Sequence, residues 1–384
     1  MQKLRVAVDS KVRQYPILIG HGVLGSVGTE LRRAYKSKAT RIAIISNEKV
    51  FSLYGSRVLE SLQQQAFDVS QFLIGDGERF KTMKTLAAVL SFLAEQGFQR
   101  SDAVLALGGG VVGDVAGFAA ASYLRGIGFF QAPTTVLAQI DSSVGGKTGV
   151  NLPQGKNLIG SFYQPHAVFI DTEVLRTLPQ RELTSGWCEM VKNGVVGGCD
   201  LLKQTTEFLQ RQEVTQPFGL EKLIAAHCAF KAAVVKGDER EDINRNDARS
   251  RRILNFGHTV GHAIESVTHY RRFRHGEAVG YGMLAAVELS KSLNLLPQSD
   301  VESIREAVAS CGSLPLAVDL DERAIISALN YDKKKGGAHI QWVLLKRIGK
   351  PLIVNGGEIS SALVRDAVRT ALNTRSKSPG VFNE

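Results

Sequence analysis

Only four cysteines occur in 384 residues. Cys188, Cys199, Cys228 and Cys311 are widely scattered and show no metal-type spacing. A disulfide scaffold and a cysteine-bound metal are therefore excluded, and reduced thiols of a cytoplasmic protein are expected. Long apolar runs are missing too. The most apolar stretch, 103–124, is broken by several glycines and by Asp114, so it does not read as a bilayer span. The opening residues, Met1 to Arg5, lead into a strand-like alternation without an apolar signal region. Aromatic residues are only 7% of the chain, and no nucleic-acid-binding motif occurs. Neither nucleic acid nor a membrane is an expected partner. There is no internal repeat and no low-complexity segment.

The positive side of the composition is a soluble globular one, with 44% hydrophobic and 22% charged residues. The length suggests two domains. The net charge of +10 is dispersed, with many lysines and arginines inside the motifs below. Small anionic substrates account for it better than a polyanion does. The C-terminal segment with Arg365, Arg369, Arg375 and Lys377 reads as a helix fading into a solvated tail.

Up to about residue 178, β-branched runs alternate with helical patterns. Strands are expected at Arg41–Ser46, Val69–Ile74, Ala103–Leu107, Phe129–Ala132 and Val168–Ile170. Helices are expected from about Lys49 to Gln65 and from Thr82 to Gln96. This alternation implies a parallel sheet with helices on both faces. Beyond it, helical patterns dominate: Glu182–Val196, Leu220–Lys236, Phe256–Val267, Glu277–Leu293, Asp300–Ser310 and Glu322–Asn330. Pro179 and Pro297 mark breaks. A strand-like run at His339–Leu345 returns late in the chain.

Half of the eight histidines, counting His269, fall between positions 258 and 275. His258 and His262 are four apart on an expected helix and share one face. Their neighbours Asn255, Gly257, Thr259 and Gly261 are small and polar, which suits a crowded site. His275, Gly276 and Glu277 follow. This pattern points to a divalent metal, most simply zinc, held by imidazoles and a carboxylate with positions open for substrate. The bland alternative is a polar helix pair with hydrogen-bonded histidines. Glu189, three residues from Lys192 on another expected helix, is a candidate third ligand.

Other motifs suit phosphates. Gly108, Gly109 and Gly110, followed by Val111, Val112, Gly113 and Asp114, lead from a strand into a helix, where free N–H groups meet anions. It is not the six-residue dinucleotide fingerprint, and a tight strand–helix contact explains it too. The loop with Asp76, Gly77, Glu78 and Lys81, and the hydroxyls of Thr134 and Thr135, also follow strands. Lys147 beside Gly145 and Gly146, then Lys156 and Asn157 after Gly155, make a credible anion pocket.

Together these segments resemble the 3-dehydroquinate synthase family, over roughly residues 3–355. The strongest stretches are Gly108–Asp114, Gln131–Asn151, Gly155–Pro165, Leu178–Lys192, Asp238–Glu241, Leu254–Glu265, His275–Met283 and Asp332 with Lys333 and Lys334. The resemblance implies an α/β fold: an N-terminal Rossmann-like α/β domain that binds NAD over 1–178, and a C-terminal all-helical metal-binding domain over 179–370. A solvated tail over 371–384 would follow. It implies zinc or cobalt on Glu189, His258 and His275. NAD would lie against Asp76, Gly77, Glu78, Lys81, Gly110, Val111, Val112, Gly113, Asp114, Thr134, Thr135, Lys147, Lys156 and the segment Val174, Leu175, Arg176 and Thr177. Substrate groups would meet Arg125, Asp141, Lys147, Lys156, Asn157, Lys192, Lys231, Arg251, Asn255, His262 and Lys333 or Lys334. The spacing alone would make His262 a ligand. The resemblance instead sets it beside the metal as a catalytic group, and also implies a homodimer. Residues 242–250 make this segment several residues longer than usual, so Arg249 and Arg252 compete with Arg251.

The implied reaction converts 3-deoxy-D-arabino-heptulosonate 7-phosphate to 3-dehydroquinate and phosphate, the second step of the shikimate pathway. NAD would be regenerated each turnover, which makes the enzyme a lyase. One rival is a cyclase for a neutral sugar phosphate, which has no carboxylate for Arg251 and Lys231 to meet. Another is a metal-dependent polyol dehydrogenase, which needs no phosphate-binding set. A non-enzymatic basic binding protein is the third.

Overall fold

Residues 14–35, 39–211, 219–336 and 340–374 are described by the structure, a computed structural model; of 330–336 only the backbone is described. The expectations for Met1–Arg5, His339, Arg375, Lys377 and the side chains of Lys333 and Lys334 lie outside the described residues.

The first half runs β1 (Ile17–Gly20), α1 (Val27–Ala34), β2 (Arg41–Asn47), α2 (Glu48–Gln63), β3 (Asp68–Ile74) and α3 (Met83–Glu95). Then come β4 (Ala103–Gly108), α4 (Gly110–Ser122), β5 (Gly128–Pro133), β6 (Lys147–Leu152), β7 (Gly155–Phe162) and β8 (Ala167–Asp171). Six strands form one sheet in the order β1-β8-β5-β4-β2-β3, and all their pairings are parallel. Every residue of β4 is buried. Ala103, Leu105 and Leu107 face one core, while Val104 and Ala106 face the other. A strand covered on both faces has no polar alternation, which is why it reads as a continuous apolar run. The sheet order reverses between β2 and β4, and ligands of such sheets bind outside the strands' carboxyl ends at this switch point. β6 and β7 stand apart as an antiparallel ribbon.

The second half is mainly helical: α5 (Gln180–Gly197), α6 (Cys199–Gln210), α7 (Leu220–Gly237), α8 (His258–Val267), α9 (His275–Ser292), α10 (Gln298–Ser310) and α11 (Glu322–Gly336). A ribbon of β9 (Gln341–Arg347) and β10 (Lys350–Asn355) precedes α12 (Ser361–Leu372). Helix α8 starts two residues later than the sequence pattern predicts. Arg251–Asn255 forms a 3-10 turn, and Gly257 at φ 80° redirects the chain into α8. Helix α9 starts two residues earlier than expected, because Glu277 accepts a hydrogen bond from the Arg274 N–H and closes the first turn. A methyl group on Gly276 would sit 1.8 Å from the Ser185 carbonyl oxygen. Helices α9 and α5 therefore meet backbone to backbone. Among the described residues no helix is long and apolar enough to cross a membrane.

Candidate active site

Glu189, fully buried on α5, presents Oε1 3.8 Å from His258 Nε2 and 3.5 Å from His275 Nε2. Each imidazole has its other nitrogen engaged. His258 Nδ1 lies 3.2 Å from the Phe256 carbonyl oxygen, and His275 Nδ1 lies 3.2 Å from Glu265 Oε2. Such contacts fix the tautomer, with Nδ1 protonated and Nε2 free to donate its lone pair. Lys192 Nζ is 2.7 Å from Glu189 Oε2, while Oε1 has no hydrogen-bond donor and faces only the two imidazoles. A buried carboxylate left so is the chemistry of a metal ligand. Four donors at bonds of about 2.0–2.1 Å around zinc are separated by about 3.3 Å, and the Glu189–imidazole distances are close to that.

His262 joins the cluster: ligand-capable atoms of His258, His262 and His275 all lie within 4.8 Å of one another. The expected sharing of one helix face therefore appears in three dimensions. Burial lowers the pKa of His258 well below the ordinary value, and Lys192 adds to it. His262 is the solvent-exposed member of the cluster, yet desolvation by the residues crowded around it, with His275 adding, takes it down to about 4. Both are neutral imidazoles near pH 7. Burial pulls His275 down as well, but Glu265 and Glu189 outweigh it and its pKa is raised.

Beside this cluster stands a set of buried cations. Lys231 on α7 donates to Asp141, both to its backbone carbonyl, at 2.5 Å, and to its carboxylate. Burial pushes Lys231 down to about 8 even so. Arg251 is buried, and its Nη1 donates to the Gly145 carbonyl at 2.9 Å and the Glu239 carbonyl at 2.8 Å. Of the three competing arginines, Arg249 is exposed, and Arg252 is spent on Gln341 and on the carbonyls of Ile243 and Arg245. Arg251 is the one held against the turn that leads into Lys147. The Lys147 ammonium pairs with Glu241, which also accepts from Asn255 Nδ2 at 3.3 Å.

At the carboxyl ends of the strands, α4 begins at Gly110 with no side-chain cap on its first turn. Its free N–H groups are what a pyrophosphate would need. Lys81 Nζ donates at 2.5 Å to both Asp114 and Asn157, tying the loop after β3 to the ribbon. Asn47, at the end of β2, donates to Asp76 at 3.1 Å. Thr134 is buried and Thr135 Oγ1 accepts from the Ala138 N–H. Val174 and Leu175 point into the core, so that segment offers backbone and the more exposed Arg176 and Thr177 rather than its apolar side chains.

The family model described as 3-dehydroquinate synthase N-terminal matches residues 71–185, and the one described as 3-dehydroquinate synthase C-terminal matches 186–335. The 3-dehydroquinate synthase of Thermodesulfovibrio yellowstonii is 43% identical over 375 residues, covering 94% of this chain and 99% of that protein. The chain belongs to the 3-dehydroquinate synthase family. A crystal structure of 2-deoxy-scyllo-inosose synthase with carbaglucose-6-phosphate, NAD+ and Co2+ superposes with a TM-score of 0.82 at 30% identity. It covers 93% of this chain and 97% of its own. The 2-epi-5-epi-valiolone synthase of Streptomyces hygroscopicus, with NAD+ and Zn2+ bound, gives 0.83 at 25% identity, with 96% and 99% covered. The expected fold, lyase class and activity are those of the 3-dehydroquinate synthase family.

One residue carried over from the 3-dehydroquinate synthase resemblance does not join the cluster within one chain. Arg125 is exposed in the 3-10 turn after α4, at the opposite end of that helix from Gly110. Thirteen helical residues separate the two ends, about 20 Å at about 1.5 Å per residue. Lys334 lies on α11, with its side chain outside the description. The structure also brings in residues that the reading of the sequence did not select. Asn151 accepts from the Asn157 N–H and donates to Glu78 at 2.7 Å. Glu265 lies between His275 and Lys156. Its signal was available, since positions 258, 262 and 265 fall on one helical face.

Proposed function

We propose that this chain converts 3-deoxy-D-arabino-heptulosonate 7-phosphate to 3-dehydroquinate and phosphate, with zinc or cobalt on Glu189, His258 and His275 and NAD along the strand ends. The observation that carries the site is the Glu189 carboxylate. It is wholly buried, and its Oε1 accepts no hydrogen bond and faces two imidazole nitrogens whose partners leave them free to donate. The metal, when bound, lowers the pKa of a substrate hydroxyl and polarises a carbonyl. NAD supplies a hydride acceptor that is restored within the cycle, so the reaction has no net redox change.

The chain's own residues do the rest. Lys147, Lys156 and Asn157 hold the phosphate, and the carboxylates that now face the two lysines mark them as sites for an anion. Arg251, oriented by two backbone carbonyls, meets the substrate carboxylate together with Lys231. Asn255 and Asp141 orient hydroxyls. His262 is neutral at physiological pH and takes or returns a proton at a ring nitrogen. Lys192 pairs with the Glu189 carboxylate and holds it in place. A homodimer in the cytoplasm belongs to the same reading.

The test is turnover with the heptulosonate phosphate, NAD and zinc. Phosphate should be released in large excess over added NAD, without stoichiometric NADH. NADH rising in step with product would replace this reading with a dehydrogenase.

A further inference from the structure

Glu265 is 3% exposed and uses its two oxygens on two different parts of the fold. Oε2 lies 3.2 Å from His275 Nδ1, on the first residue of α9. Oε1 accepts from Lys156 Nζ at 3.0 Å, on the β6–β7 ribbon. Lys156 continues the line: its Nζ is 3.7 Å from Glu78 in the loop after β3, and 4.3 Å from the centre of the Tyr270 ring. One unbroken run of polar contacts therefore leads from Glu78 through Lys156, Glu265 and His275 to Glu189.

We propose that Glu265 is a positioning residue that aims His275 Nε2 at the metal position and, through its other oxygen, links that ligand to the anion-binding Lys156. The inference rests on the metal site proposed above. A carboxylate behind an imidazole fixes the ring's rotation and strengthens its free nitrogen as a donor. The strength of that effect depends on how much of the carboxylate's charge Lys156 neutralises. An anion that draws Lys156 away leaves more negative charge on Glu265, and the His275 nitrogen becomes a better donor. Removing Glu265 and removing Lys156 therefore act on metal affinity with opposite signs. A structural ion pair would not behave so, because loss of either partner would then have the same consequence.

The test uses metal-stripped full-length protein titrated with cobalt(II) against a chelator, following the visible absorption of the bound ion. Glu265→Gln should bind cobalt about 10–100-fold more weakly, with shifted absorption bands. Its single amide oxygen serves either His275 or Lys156, not both. Glu265→Asp, which keeps the charge on a shorter side chain, should fall between Gln and the unaltered protein, and it carries the test if the Gln variant does not fold. Lys156→Met should bind cobalt at least as tightly as the unaltered protein. Wild-type affinity and an unchanged spectrum in the folded Glu265 variants would overturn the proposal, and so would weaker binding in Lys156→Met. His275→Ala separates the two readings. If it keeps stoichiometric cobalt, the metal site itself is wrong; if it loses cobalt while Glu265→Gln does not, only the role of Glu265 fails.

Discussion

Glu189, His258 and His275 stand on helices that touch backbone to backbone, whereas Lys147, Lys156 and Asn157 stand on a two-stranded ribbon with exposed Leu158 and Phe162. In the helical part, a methyl on Gly282 would meet the Gly257 carbonyl oxygen at 1.8 Å, so α8 and α9 cannot shift without overlap. Its donors are fixed before any ligand arrives. The ribbon packs β6 on α4 through the buried Thr148 and Val150, but its two lysines are held by ion pairs with Glu241, Glu265 and Glu78. On the function proposed above, those carboxylates hold the places of anions and are exchanged for them. The ligand side chains would then be preorganised by packing, and the lysines by charges that a substrate replaces.

The largest effects should come from the helical part. His258→Ala and His275→Ala should lose bound zinc and with it all measurable turnover. His262→Ala should keep near-stoichiometric zinc and turn over about 10²–10⁴-fold more slowly. Metal analysis of the three purified variants decides it. Zinc absent from the His262 variant but retained in the His275 variant would exchange their roles, and would restore the reading based on helix spacing alone.

A second prediction concerns the Glu189–Lys192 pair, whose side chains are 0% and 1% exposed. Removing one partner of a buried pair leaves an uncompensated charge, at a cost of about 3–5 kcal/mol. Lys192→Met should therefore destabilise the metal-free protein strongly in urea. Zinc at the same carboxylate compensates the charge, so the loss should be smaller once metal is added. Equal destabilisation with and without zinc would show that the ion does not reach Glu189, and that the helical part is not organised around it.

The same contrast explains what could be read from the sequence. The parallel sheet was legible because β2, β4, β5 and β8 are buried runs rich in apolar residues, with turn residues at their ends. The histidine cluster was legible because α8 puts positions 258 and 262 on one face. The ribbon was not recognised as strands. Gly149, Gly155 and Gly160 interrupt its alternation, and its lysines gave it the look of a solvated loop. Two of those glycines are needed where the strands meet: a methyl on Gly160 would lie 2.0 Å from the Thr148 carbonyl oxygen, and one on Gly149 would lie 2.5 Å from that of Ile159. The start of helix α4 was legible too, because Gly108 to Gly110 lead from β4 into a helix; its end was not, since the helix is apolar on nearly every side. No local pattern joins Glu189 on α5 to the histidines of α8 and α9. Only the packing of the three helices, or a family resemblance, does so.

The smallest predicted effect is at the ribbon's outer end, where the contrast is most easily broken. Tyr270 is half-exposed, and Lys156 Nζ stands 4.3 Å from its ring centre. A cation over an exposed ring is worth about 0.5–1 kcal/mol. That converts to about a two- to five-fold change in an equilibrium constant. Lys156 keeps Glu265 as its main partner, so losing the ring should loosen the ammonium without releasing it. Tyr270→Leu should therefore raise KM for the heptulosonate phosphate about two- to five-fold and leave kcat unchanged, while Tyr270→Phe, which keeps the ring, should match the unaltered enzyme. Steady-state kinetics of both variants at fixed ionic strength give the answer. A rise of tenfold or more, or a fall in kcat, would mean that Lys156 depends on one exact position as strictly as the metal ligands do, and the distinction between a packed part and an exchangeable part would fail.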